Sequence, residues 1–126
     1  KYLITPEQEF VEAHSFLAII ENKEIPSLKS LKVSKESYVL GLLDCIGELK
    51  RLVLDNIRKD RLKEANRIFN VMENLYLVLY PLAMYDKIVK EARRKLDVNR
   101  ILVEETRAVI TEEIRRNHFI NALAEK

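Results

Sequence analysis

The stretch SYVLGLLDCIGELKRLVLDNI, residues 37–57, decides the fold. Its apolar residues, Tyr38, Val39, Leu40, Leu42, Leu43, Cys45, Ile46, Leu49, Leu52, Val53, Leu54 and Ile57, cover roughly two thirds of a helix circumference at about 100° per residue. A helix so apolar is mostly buried. What remains polar is one narrow stripe of Ser37, Gly41, Asp44, Glu48, Arg51 and Asp55 in steps of three and four, which makes Asp44 and Glu48 neighbours one turn apart.

Helical signals continue on both sides of this segment. Thr5-Pro6-Glu7-Gln8 combines an N-cap hydroxyl, proline at the first helical position and a capping-box glutamine, and starts a helix running to about Asn22. NKEIPSLKSLKV, broken by Pro26 and dotted with serines, is a connection before Ser34 caps the helix that carries residues 37–57 to about Lys59. A third helix from about Asp60 places Ala65, Ile68, Phe69, Met72, Leu75, Tyr76 and Leu79 on one face and is expected to break at Pro81. From about Tyr85 a last helix of over thirty residues puts Ile88, Ala92, Leu96, Leu102, Val109 and Ile114 on or near one side. Four long helices with short connections predict an all-α antiparallel bundle, with the last helix long enough to reach a partner subunit.

Composition agrees. The 126 residues are one domain's worth, 48% are hydrophobic, and 2 Gly and 3 Pro against 33% charged residues describe few turns and long amphipathic helices. Twenty-two basic and 20 acidic residues leave a net charge of +2, so binding to nucleic acid would have to use local patches. A lone Cys45 forms no internal disulfide, and no apolar run nears the roughly 20 residues that span a bilayer, so a cytoplasmic, membrane-free setting is expected. The chain begins at Lys1 and shows no signal-peptide pattern, which reads as a piece of a longer protein.

The chemistry lies in the acids. In EQEFVEAHSFLAII (7–20), Glu9 falls within roughly 40° of Ala13, Phe16 and Ile20, with Glu12 flanking them, so charge stands where an apolar stripe is expected. Carboxylates one turn apart are costly to crowd and desolvate, as with Asp44 and Glu48. Arg51 on the same stripe can neutralise part of that charge, which would make the acids a structural ion pair. Two helices that each offer an acidic pair instead suggest four carboxylates converging across one interface. Oxygen donors without His or Cys suit Mg²⁺ or Mn²⁺ better than zinc. A ferritin-like di-iron centre wants Glu-x-x-His, and neither His14 nor His118 follows a Glu at that spacing. An all-α nucleoside triphosphate pyrophosphohydrolase matches Glu9-Phe10-Val11-Glu12, but Asp44-x-x-x-Glu48 has the wrong order and spacing for its second half.

QEFVEAHSF (8–16) and YVLGLLDCIGELKR (38–51) resemble the translin superfamily, and within it the catalytic branch of translin-associated factor X. RIFNVMENLYLVLY (67–80) and the long helix to about Ile114 resemble the family in pattern more than in identity. Family members carry helices before this point, so the resemblance implies a C-terminal portion of a translin-type bundle. It maps the family's catalytic and metal-binding carboxylates onto Glu9, Glu12, Asp44 and Glu48. It also implies a Mg²⁺-dependent endoribonuclease acting on single-stranded RNA inside a hollow oligomer of translin-type subunits. The small size and the bias toward lysine, glutamate and isoleucine suit a prokaryotic or archaeal homologue, assembled as a homo-oligomer or with translin-type partner subunits. A non-catalytic scaffold that binds RNA or DNA is the alternative from another class.

Other residues read more plainly. Cys45 on the apolar side is core, and His14 and His118 are solvated. Tyr76, Tyr80 and Tyr85 can stack on bases but suit core or interface as well. RKDRLK (58–63) and KEARRK (90–95) can follow a phosphate backbone or simply face water. The resemblance gives Arg51 a structural or carboxylate-orienting role.

Overall fold

The computed structural model describes residues 5–85 and 90–125. They form five α-helices and no strand: α1 (Pro6–Ile20), α2 (Leu28–Leu31), α3 (Lys35–Arg58), α4 (Leu62–Tyr85) and α5 (Lys90–Ala124). The all-α bundle is as expected, with the short α2 added inside the predicted connection.

Local chemistry sets the helix boundaries. Thr5 and Gln8 close the capping box at the start of α1, and the Ser34 hydroxyl accepts from the Ser37 N–H to start α3. At their C-termini α1 and α3 end alike. The Lys23 and Arg61 N–H groups each return 2.8 Å to a carbonyl five residues earlier, and Asn22 and Asp60 take positive φ to make the turn. Such reversals usually use glycine, and these short polar side chains tolerate the left-handed region in its place.

Helix α4 continues through Pro81 to Tyr85 rather than breaking before it. Proline forfeits a bond to the carbonyl four residues back and crowds it. Here Pro81 and Leu77 both lie on the exposed side, within two turns of the helix end, so the defect faces solvent and costs little cooperative structure.

Helix α3 is the centre of the bundle and packs against α1, α4 and α5. Val39, Leu40, Leu42, Leu43, Cys45, Ile46, Leu49 and Val53 are buried, as its apolar reading requires. Each large aliphatic chain so buried contributes about 1.5–3 kcal/mol relative to exposure. Helix α4 brings Ala65, Ile68, Phe69, Met72, Leu75 and Leu79 to this core, with Tyr76 half-buried beside them.

Helix α5 seats the expected face at Ala92 and Leu96, and its phase then drifts from the expected one. Besides Glu91, its buried positions are Ala92, Leu96, Asn99, Val103, Thr106 and Ile110, an alternation of four and three residues. Leu102 and Ile114 lie at the edge, Val109 is exposed, and Ile88 falls outside the described residues. Asn99 donates 2.9 Å to the Leu43 carbonyl and Thr106 bonds back to the Leu102 carbonyl, so both polar residues are satisfied inside the seam. Beyond Ile114 every described residue of α5 is exposed, with Phe119, Ile120 and Leu123 prominent.

Helix α1 likewise turns a face other than the one expected. Gln8, Val11, Ser15, Ala18 and Ile19 are buried, whereas Glu9, Ala13 and Ile20 are exposed and Phe16 is half-buried. The apolar stripe holding Glu9 is therefore the outer side of the helix, and its charge is solvated. Among the described residues no helix is long and apolar enough to cross a membrane.

Candidate functional site

The crossing of α1 over α3 builds the site. Gly41 permits it, since a Cβ there would stand 2.7 Å from the Val11 Cβ and 2.8 Å from the Gln8 carbonyl oxygen. Glycine at this point lets the two backbones approach by the width of a methyl group. Further along each helix, Glu12 comes within the fields of Asp44 and Glu48 on the α3 stripe. The glycine within the polar stripe thus has a packing reason.

Glu12 is the centre of the cluster. Burial, followed by the charges of Asp44, Glu48 and Glu9, pushes its carboxyl above the usual glutamate range, and Lys95 pulls it partly back. The other three carboxylates singled out from sequence therefore all act on Glu12, with Asp44 and Glu48 doing so from across the α1–α3 interface. They are unequal in exposure: Glu9 faces solvent, while Glu12, Asp44 and Glu48 are partly covered. The buried Cys45 thiol lies against the same group and is pushed up to about 12 by burial and the fields of Glu12, Glu48 and Asp44. A thiol so placed is protonated and inert, in line with its reading as core.

The partner of Asp44 is Lys95 of α5, not Arg51. The ammonium Nζ donates to Asp44 Oδ1 at 2.6 Å and stands 3.5 Å from Glu91 Oε2, with both the Asp44 and Lys95 side chains only 18% exposed. Arg51 is exposed and lies beside Phe16, Glu48, Leu52 and Asp55. The other Asp44 oxygen, Oδ2, is buried without a hydrogen-bond partner among the described residues. A cleft of about 270 Å³ opens beside the ion pair between α3 and α5, lined by Asp44, Gly47, Arg94, Lys95, Asn99 and Leu102 among others.

In sequence, Lys95 and Glu91 do not stand out from the basic run of residues 90–95. Their spacing of four was the available signal, because it sets an acid and a base one above the other on a helix. What hid them was the phase of α5, which depends on the polar Asn99 being a seam residue.

The arrangement fits a hard divalent cation in donor type and charge. Every candidate ligand is a carboxylate, one buried acceptor is unmatched, and the repulsion felt at Glu12 exceeds what one ammonium offsets. Among the described residues no group of three or more His, Cys, Asp or Glu side chains is placed to hold a metal ion.

The remaining candidates stay where surface chemistry puts them. His14 is exposed and tilts against Phe10 with ring centroids 4.3 Å apart, and His118 lies on the exposed end of α5. Tyr76 and Tyr80 meet edge-on at 6.1 Å, and the Tyr85 side chain lies outside the described residues. In 58–63, Arg58 and Lys59 are both engaged with Asp55.

Fold and site together define an all-α bundle that holds an acidic cluster between its first and central long helices. The chain matches the model of the Translin family over residues 2–110, and it belongs to that family. It is 46% identical over 106 residues to an uncharacterized protein of Methanocaldococcus jannaschii, spanning 83% of this chain and 47% of that protein. It also resembles the crystal structure of AfC3PO, with a TM-score of 0.76 and 32% identity over 87% of this chain and 58% of that one. The structure of an AfC3PO–duplex RNA complex matches with the same TM-score and coverage at 31% identity. The chain thus spans roughly half the length of these relatives.

Proposed function

We propose that this chain is the carboxylate-bearing part of a metal-dependent endoribonuclease that cleaves single-stranded RNA within a translin-like oligomer. The observation that carries the reading is the buried Asp44 oxygen without a hydrogen-bond partner among the described residues, at the crossing where Asp44, Glu48 and Glu9 all raise the Glu12 carboxyl. Family membership and the likeness to AfC3PO, which has been solved with duplex RNA, support a nucleic-acid substrate over a free nucleotide.

Glu12, Asp44 and Glu48 would hold Mg²⁺ or Mn²⁺, with Glu9 at the solvent side. A bound divalent ion would supply charge stabilisation for the phosphodiester under attack and acidify a water. The protein's own contribution is to gather the acids, keep bulk water from their inner side through Val11, Leu43 and Cys45, and offer a carboxylate to take the proton of the attacking water.

The test is cleavage of labelled RNA, single-stranded and duplex, by the full-length protein with Mg²⁺ or EDTA, beside Glu12→Ala and Asp44→Ala. Internal cuts that need metal and fall on the order of 100-fold or more in either variant support the reading. Undiminished cutting by Asp44→Ala would overturn the site. The scaffold reading has one observation in its favour, the Lys95–Asp44 ion pair, which by itself is what a structural acid would display. RNA binding without metal-stimulated cuts would establish that reading instead.

A further inference from the structure

We propose that Lys95 is a resident counter-ion of the carboxylate cluster, which holds Asp44 in the metal-free protein and releases it, turning into the adjoining α3–α5 cleft, when a divalent cation binds. The inference rests on the metal reading above and goes beyond it in naming a residue that competes with the ion.

Three observations carry it. Lys95 reaches the cluster from a third helix, and its ammonium is divided between Asp44 at 2.6 Å and Glu91 at 3.5 Å. It satisfies only half of Asp44, since Oδ2 stays buried and unmatched while Oδ1 is taken. The ammonium is therefore shared between Asp44 and Glu91, and a divalent ion held by Asp44 would use the oxygen that an ammonium leaves over.

There is also somewhere for the side chain to go. The neighbouring cleft of about 270 Å³ is bordered by Lys95 itself, and one wall is Gly47, where an added Cβ would come no closer than 3.9 Å to Leu102. A lysine stem has four flexible carbons, so the ammonium can leave Asp44 without any helix moving. Asn99, one turn on from Lys95, stays bonded to the Leu43 carbonyl and keeps α5 in register throughout.

An ion pair that must break before metal binds lowers metal affinity, and removing its cation should raise it. Mn²⁺ binding, followed by the loss of the free-ion electron paramagnetic resonance signal, is measured for wild type, Lys95→Met, Lys95→Arg and Asp44→Asn. Lys95→Met should bind Mn²⁺ about tenfold more tightly than wild type and melt lower than wild type in EDTA, with Mn²⁺ restoring the loss. Lys95→Arg should behave as wild type. In wild type alone, acetylation of lysines read by mass spectrometry should be several-fold faster at Lys95 with Mn²⁺ than with EDTA, while Lys50, paired with Glu105 outside the cluster, serves as the unchanged reference.

Equal or weaker Mn²⁺ binding by Lys95→Met, or labelling of Lys95 that is indifferent to Mn²⁺, overturns the proposal. If Lys95→Met does not fold, the labelling decides. Should wild type bind and Asp44→Asn fail to bind while Lys95→Met is unchanged, the counter-ion proposal falls and the metal reading stands. No Mn²⁺ binding by any of the four overturns both.

Discussion

The two flanks of Asp44 are held by opposite means. On the α1 side, contact is steric: Gly41 lets Val11 and the Gln8 backbone come as close as heavy atoms allow, and the Gln8 amide nitrogen and Ser15 hydroxyl are buried there without hydrogen-bond partners. On the α5 side, contact is polar, through Asn99 on the Leu43 carbonyl and Lys95 on Asp44, with a cleft left open between the helices. One flank depends on shape and the other on charge. On the proposed function, the close-packed side would position the acids and the polar side would be where charge is exchanged.

The sharpest way to break this contrast is Gly41→Ala. The added methyl cannot be accommodated without parting the helices, so we expect a loss of about 1–3 kcal/mol in denaturant unfolding, together with loss of any cleavage, since Glu12 moves with α1. An alanine tolerated at full stability would show that α1 is not pinned there. On the other flank, Asn99→Ala should cost about 1 kcal/mol by the same measurement, because it removes one buried hydrogen bond and leaves the apolar seam intact. If the α5 flank proved as sensitive as the Gly41 crossing, the division into rigid and yielding sides would be wrong.

Two smaller effects sharpen the comparison. Asp60→Gly relieves a left-handed residue in the α3–α4 turn, distant in sequence from both flanks, and should raise stability by about 0.5 kcal/mol with cleavage unchanged. Glu12→Gln should raise the melting temperature slightly in EDTA, by the equivalent of a few tenths of a kcal/mol, because the folded state raises this carboxyl through burial and like charges and so disfavours its ionised form. A lower melting temperature for that variant would mean that Lys95 already over-compensates the cluster.

Much of the fold was legible in the chain. The capping box at Thr5, the serine cap at Ser34 and the apolar sweep of residues 37–57 each rest on local chemistry or on a period, and each has its expected counterpart in α1 and α3. Helix α4 shows where a local rule yields. Proline forbids one hydrogen bond, but its cost depends on whether the bond would have faced the core, and here it faces water.

The acids were legible as residues and not as a site. Glu9 was read among apolar neighbours, yet those neighbours are the outer face of α1, because the side facing Gly41 includes the polar Gln8 and Ser15. The phase of α5 was obscured in the same way, since two of its seam positions, Asn99 and Thr106, bond to carbonyls and pack where hydrophobic residues were sought. Periodicity measures how apolar a face is, whereas packing selects a face by fit and by hydrogen bonds made to another helix.

The sequence by itself determined that this chain is a set of long helices around residues 37–57, and that its candidate chemistry resides in Glu9, Glu12, Asp44 and Glu48. Only the tertiary structure decided which of those acids are sheltered, that a glycine sets the approach of their helices, and that Lys95, 51 residues from Asp44, is its ion-pair partner. The reason is physical: helix formation is governed by neighbours within a turn or two, but the field at a carboxylate is the sum over charges that the chain brings together from far apart.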